Sequence, residues 1–184
     1  MPVPIAGINA DALALEYWED TGGMAAGISS MGPSPAIGME HDPETLALVA
    51  EYQKRYTTRP RFPHFNFFYT YVDLMQAVAA AEEVYAAGLG SGFEPLDDWV
   101  EAMLKQETTY YKDGEVWYKY AWYGPGEVEP LTECRFPHNV RMDPEGKTGM
   151  TPLVTVQWHA GGEVSCVYPF RYATGEFEIP WWIE

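Results

Sequence analysis

The side chains that could do chemistry in this chain are four histidines, two cysteines and 27 carboxylates, and their spacing closes most routes. His41, His64, His138 and His159 show no HExxH pair or other metal-ligand interval. His41 and His138 adjoin loop prolines, a setting that predicts solvated imidazoles. Cys134 and Cys166 have no metal-ligand spacing either. They read as one disulfide of an exported protein or as two small buried thiols. No G-x-S-x-G elbow, phosphate loop or G-x-G-x-x-G turn occurs, and Gly88-Leu89-Gly90-Ser91-Gly92 follows a helical pattern rather than a strand. The sequence therefore predicts no catalytic set, no metal site and no cofactor, and an enzyme is not expected.

Any remaining chemistry must come from groups that the secondary structure places. Residues 3–8 (VPIAGI) predict a short buried strand, followed by a turn over residues 7–11 and a helix over 12–20 that Asn9 or Asp11 would cap. Gly22-Gly23 stops that helix, and residues 27–31 predict a second strand, giving a βαβ unit and hence a parallel pair. Asp42-Pro43-Glu44 is a helix start: a cap, a first-turn proline and an acid at the positive end of the dipole. The helix it opens runs to about Tyr56, with Leu46, Val49 and Ala50 on one face. The longest helical signal spans 66–87, where Leu74, Ala77, Val78, Ala81 and Val84 predict the packed stripe. Residues 96–105 predict a short amphipathic helix. Strands follow over 115–123 and 153–158, with a glycine turn at 160–162 and a partner strand over 164–168.

Composition excludes several partners. Hydrophobic residues make up 47% and charged residues 21% of 184, the balance of a globular chain. A formal charge of −16 repels phosphate, and the densest cationic run, Lys54, Arg55, Arg59 and Arg61, is interrupted by proline, so nucleic-acid binding is not expected. No stretch is long and apolar enough for a membrane span, and the first residues carry neither a basic nor an apolar signal region. Taken literally the chain stays in the cytoplasm; taken as a fragment, its export signal lies upstream. A two-stranded parallel sheet is unstable alone, so the chain reads as starting in the middle of a fold.

Several of these segments resemble one family. The tail VTVQWHAGGEVSCVYP (residues 154–169), the turn at 142–146, the helix YVDLMQAVAAAEE (residues 71–83), the stretch from Tyr52 to Pro60 and Gly27 are similar, in the same order, to the C-terminal half of the leucine/isoleucine/valine-binding proteins of ABC transporters. That family has the type I periplasmic-binding-protein fold: two parallel-sheet α/β lobes, hinge-linked, closing on a solute. The resemblance implies an α/β fold with a strand-rich C-terminal region. It assigns residues 1–30 to the end of the second lobe, 31–152 to the first lobe and 153–184 to the hinge return and closing strands of the second. The tyrosine-rich stretch 108–133 departs from the family pattern.

The same resemblance implies the function and its residues. Solute would meet the turn after the first strand, at Asn9 and Asp11, where amino-acid-binding members place an acid against the ligand ammonium. Capping the helix is the alternative role of both. The aromatic segment Phe67, Phe68 and Tyr69 would supply the ring that packs on the ligand, Phe68 matching best, or else be ordinary core. The implied ligand is a branched-chain amino acid, a short amide or urea. The implied partners are a permease and the N-terminal half of the same protein, which would carry the segment for the ligand carboxylate. The implied location is periplasmic or extracellular and membrane-associated. A ligand sensor with the same fold, or a fragment that binds nothing and self-associates through exposed edges, are the other readings.

Overall fold

The computed structural model describes residues 6–86, 96–121 and 153–183. Its elements are β1 (Ala6–Gly7), α1 (Tyr17–Asp20), β2 (Ser29–Pro33), α2 (Pro43–Arg55), α3 (Phe65–Ala86), α4 (Leu96–Leu104), β3 (Glu107–Lys112), β4 (Glu115–Ala121), β5 (Leu153–Trp158) and β6 (Val164–Tyr168). The described residues fall into two compact units, 6–66 with 153–183 and 67–86 with 96–121. Residues 31–66 thus group with the first strands, and the tail returns to that same unit. The expected turn at 142–146, His138, Cys134 and most of the 108–133 stretch beyond residue 121 lie outside the described residues.

The first unit is built on a four-stranded sheet in the order β1-β2-β5-β6. β1 and β2 run parallel, with Ala6 opposite Ser29 and Gly7 opposite Ser30. β5 and β6 add antiparallel, so the sheet is mixed rather than purely parallel. β5 is its centre: Val154, Val156, Gln157 and Trp158 are all fully buried. Trp158 gathers Tyr17 and Trp18 at ring distances of 6.1 and 6.4 Å, and Ala25 and Ile37 complete that cluster. Gly161 and Gly162, at φ 90° and 88°, give the hairpin turn its left-handed residues, and a Cβ at Gly162 would strike the Trp18 ring at 2.9 Å.

The helix expected over 12–20 is instead a 3-10 turn at Asp11–Leu13 and the four-residue α1. The reason is tertiary. Trp158 Nε1 donates to Ala12 O at 2.9 Å, occupying the carbonyl that a continuous helix would offer to Glu16. Ala14 takes an extended backbone, and buried Glu16 turns inward to accept from the Arg61 N–H at 2.6 Å. α2 begins as the sequence predicts, with the Asp42 carboxylate accepting from Glu44 N–H and Thr45 N–H. Its buried face, however, is Thr45 and Val49, while Leu46 and Ala50 are exposed.

The second unit packs α3 and α4 with the β3–β4 hairpin, whose turn residues Asp113 and Gly114 have φ of 54° and 82°, a pair suited to a two-residue hairpin loop. α3 buries Phe68, Tyr69, Val72, Gln76, Ala80 and Val84. The Gln76 amide donates to Thr108 Oγ1 and Tyr120 O, which registers the helix on the hairpin. Trp99 of α4 donates to Ala77 O at 3.1 Å. The stripe expected from periodicity is therefore largely on the wrong side: Leu74, Val78 and Ala81 face outward, and only Val84 of that set is buried. α3 is apolar on both faces, so its period could not say which one the hairpin would cover.

Candidate functional site

The turn at the carboxyl end of β1 is held by its parallel neighbour. Ser30, buried on β2, accepts from Asn9 N–H and donates to Asn9 O, both at 3.0 Å. Asn9 Oδ1 accepts from Asp11 N–H at 3.0 Å, closing an Asx turn ahead of the 3-10 turn. One hydroxyl and one amide thus fix the backbone while the Asn9 NH2 and the Asp11 carboxylate remain solvent-facing. The capping role expected of Asn9 is present in this local form, while the N-cap position itself is Ala10. His64 stands near enough to feel Asp11: burial lowers its pKa and the Asp11 charge opposes that shift. A donor, a carboxylate and an imidazole therefore share this edge of the first unit. The sequence reading missed both Ser30 and His64. The only signal was a serine pair inside an apolar strand and a histidine just before a helix.

Phe67, Phe68 and Tyr69 occupy the first turn of α3, in the other unit. Phe68 and Tyr69 are buried within it, Tyr69 edge-on to Tyr120 at 5.6 Å and Phe68 edge-on to Phe67 at 5.7 Å. Phe67 is half-buried and, of the three, retains the most exposed surface. Burial raises the Tyr69 hydroxyl pKa well above its usual range, and it lifts the nearby Asp73 carboxyl to about 6.

One histidine behaves unlike its sequence expectation, and a second makes contacts for which the sequence carries no expectation. His41 is not solvated: it stacks on Phe62 at 5.4 Å, and burial drives its pKa down to about 4 despite adjacent Asp42. Its Nδ1 is buried without a hydrogen-bond partner. His159 lies between Ser165 Oγ (2.6 Å from Nε2) and Glu178 Oε2 (3.2 Å from Nδ1). That is the bond order of a Ser–His–acid relay. The surroundings put it to another use. Gly175 lies over the serine, since a Cβ there would come within 2.5 Å of Oγ. The adjoining Cys166 N–H is already committed to Gly38 O and Thr174 Oγ1, which removes it as an oxyanion donor. Gln157 makes reciprocal bonds to the Glu178 backbone at 2.9 and 2.7 Å. The set straps residues 174–178 onto the hairpin. Cys166 is a free buried thiol whose pKa burial pushes up to about 11, so the disulfide alternative is not realised at this residue.

The cationic run is consumed by ion pairs. Arg59 binds Asp20 and Glu19, Arg61 binds Glu16 and Glu19, and Lys54 and Arg55 both reach Glu51. Among the described residues no group of three or more His, Cys, Asp or Glu could hold a metal, and no helix is long and apolar enough to cross a membrane.

No protein-family model matches the chain, and no curated protein matches it. A solved structure does: a Silicibacter pomeroyi protein described as a branched-chain amino acid ABC transporter, at a TM-score of 0.57 and 16% identity. The match takes in 94% of this chain and 39% of that one, so this chain spans well under half the length of the protein it resembles. The fold is thus mixed α/β, part of a periplasmic-binding-protein fold, as the tail and long-helix motifs imply.

Proposed function

We propose that this chain is part of an extracytoplasmic solute-binding component of an ABC transporter, taking a small polar solute such as a branched-chain amino acid, a short amide or urea. The single observation that carries this reading is the Ser30-locked turn after β1. It presents Asn9 and Asp11 at the carboxyl end of a parallel strand pair, the end at which open α/β sheets bind ligands. The Asp11 carboxylate suits a ligand ammonium, and the Asn9 amide suits a carbonyl or carboxylate oxygen. His64 adds a group that can donate or accept, depending on its tautomer. An aromatic contact from Phe67, Phe68 or Tyr69 is what the family resemblance implies, and it is a proposal about the second unit by itself. The likeness to a solved structure whose name includes branched-chain amino acid transport supports the ligand class, and a permease is the corresponding partner.

The rest of the fold carries the remaining ligand contacts in this reading. Titration calorimetry against leucine, valine, urea and acetamide tests it in two arms. The 184-residue chain alone is expected to give little or no heat. Sub-micromolar affinity for the chain alone would overturn the idea that half of the site lies elsewhere. The chain joined to the polypeptide encoded upstream is expected to bind one of the four, with Asp11→Asn weakening an amino acid at least tenfold. Silence of the joined protein toward all four defeats the solute-binding reading.

A further inference from the structure

α3 is a 22-residue helix that carries apolar residues on both of its faces. One face lies on the unit's own hairpin and α4, through Phe68, Val72, Gln76, Ala80 and Val84. The opposite face carries Tyr71, Leu74, Met75, Val78 and Tyr85, which are 40%, 60%, 49%, 45% and 76% exposed. These positions recur at helical spacing and form one continuous outward ridge, about 20 Å long at 1.5 Å per residue. A helix apolar on both sides belongs to an interior, either that of a larger protein or of a bilayer, and α3 does not qualify as a membrane span.

We propose that this outward face of α3 is the docking surface for the companion α/β segment that completes the fold, and that the segment covers it with an apolar sheet or helix face. Two observations choose this occupant. The matched structure continues far beyond what this chain covers, so the fold has further elements to place. A second copy of this chain is disfavoured by charge: each carries −16, and Glu82 lies within the ridge itself, so self-docking would bring like charges together. The same Glu82 calls for a lysine or arginine on the companion. The inference rests on the solute-binding reading only in expecting a companion; it names where that companion binds.

The test expresses this chain together with, as a separate polypeptide, the product encoded immediately upstream of the Met1 codon. Size-exclusion chromatography with light scattering is expected to show a 1:1 complex. The L74D/V78D double variant is expected to weaken that complex at least a hundredfold while the isolated chain melts within a few degrees of the parent. Photocrosslinking from position 74 is expected to capture the upstream polypeptide and guards against a folding defect. A complex that survives L74D/V78D overturns the proposal. So does a homodimer that the variant dissolves, or an upstream region that encodes no α/β segment. Solute titration of the intact complex is a separate reading: its failure ends the solute-binding function and leaves the docking surface standing.

Discussion

β5, a mostly apolar strand, and α3, a helix with apolar residues on both faces, end in opposite situations. Both sides of β5 are covered within its own unit. Trp158 meets Trp18 and the Ala12 carbonyl, and Gln157 meets the Glu178 backbone. α3 has one side covered by its hairpin and α4, and the other open. The difference teaches that an apolar run states a demand for burial without saying whether the same chain meets it. In β5 residues distant in sequence return to meet it. In α3 the described residues do not.

That contrast can be broken from either end. The largest effect is expected at the closed end: Trp158→Ala leaves a cavity and an unpaired Ala12 carbonyl, costing about 3–5 kcal/mol of stability by denaturant unfolding. If W158A cost no more than the outward-face substitutions on α3, the two regions would not differ as described.

Next comes acid. His41 has a folded pKa of about 4 against an ordinary 6.5, so its neutral form belongs to the fold. Its contribution is fully present above pH 6.5 and is lost as pH falls toward 4, a loss of up to about 3 kcal/mol. His41→Phe, which keeps a ring for Phe62, is expected to flatten the unfolding free energy across that window. An unchanged pH slope would show that His41 is not a buried neutral base.

Asp73 on α3 runs the other way. Its pKa is raised to about 6, so the penalty on its charged form is absent below the ordinary carboxylate value, grows as pH rises from there to about 6 and is constant above. Because the side chain is partly exposed, Asp73→Asn is expected to stabilise at pH 7 by no more than about 1 kcal/mol, with no gain below pH 4. Destabilisation by D73N at pH 7 would mean that the carboxylate has a partner to lose. The smallest effect belongs to the open face: Leu74→Asp alone should change the melting of the isolated chain by about 0.5 kcal/mol or less. A larger loss would show the ridge to be already covered.

Local chemistry was legible wherever neighbouring residues decide the outcome. The Asp42-Pro43 start of α2, the Gly22-Gly23 stop, the β5–β6 hairpin and the parallel β1–β2 pair all follow from caps, φ preferences and patterning within a few residues. The first helix was misread because Trp158, far along the chain, takes the Ala12 carbonyl. His41 was misread because proline neighbours suggest a loop but do not exclude a Phe62 ring above it. At the candidate site the sequence nominated Asn9 and Asp11, but Ser30 and His64, which lock and flank them, became visible only once β2 and the residue-64 segment were placed alongside.

The sequence by itself determined where several elements start, turn and stop, and that β5 and α3 are rich in residues that seek burial, because those properties depend on backbone torsions and on side-chain polarity at fixed spacing. Only the tertiary structure decided which face of α3 is buried, where the first helix breaks, and which groups ring the turn after β1. Those outcomes depend on contacts between residues far apart in the chain, and local spacing carries no record of which distant group arrives.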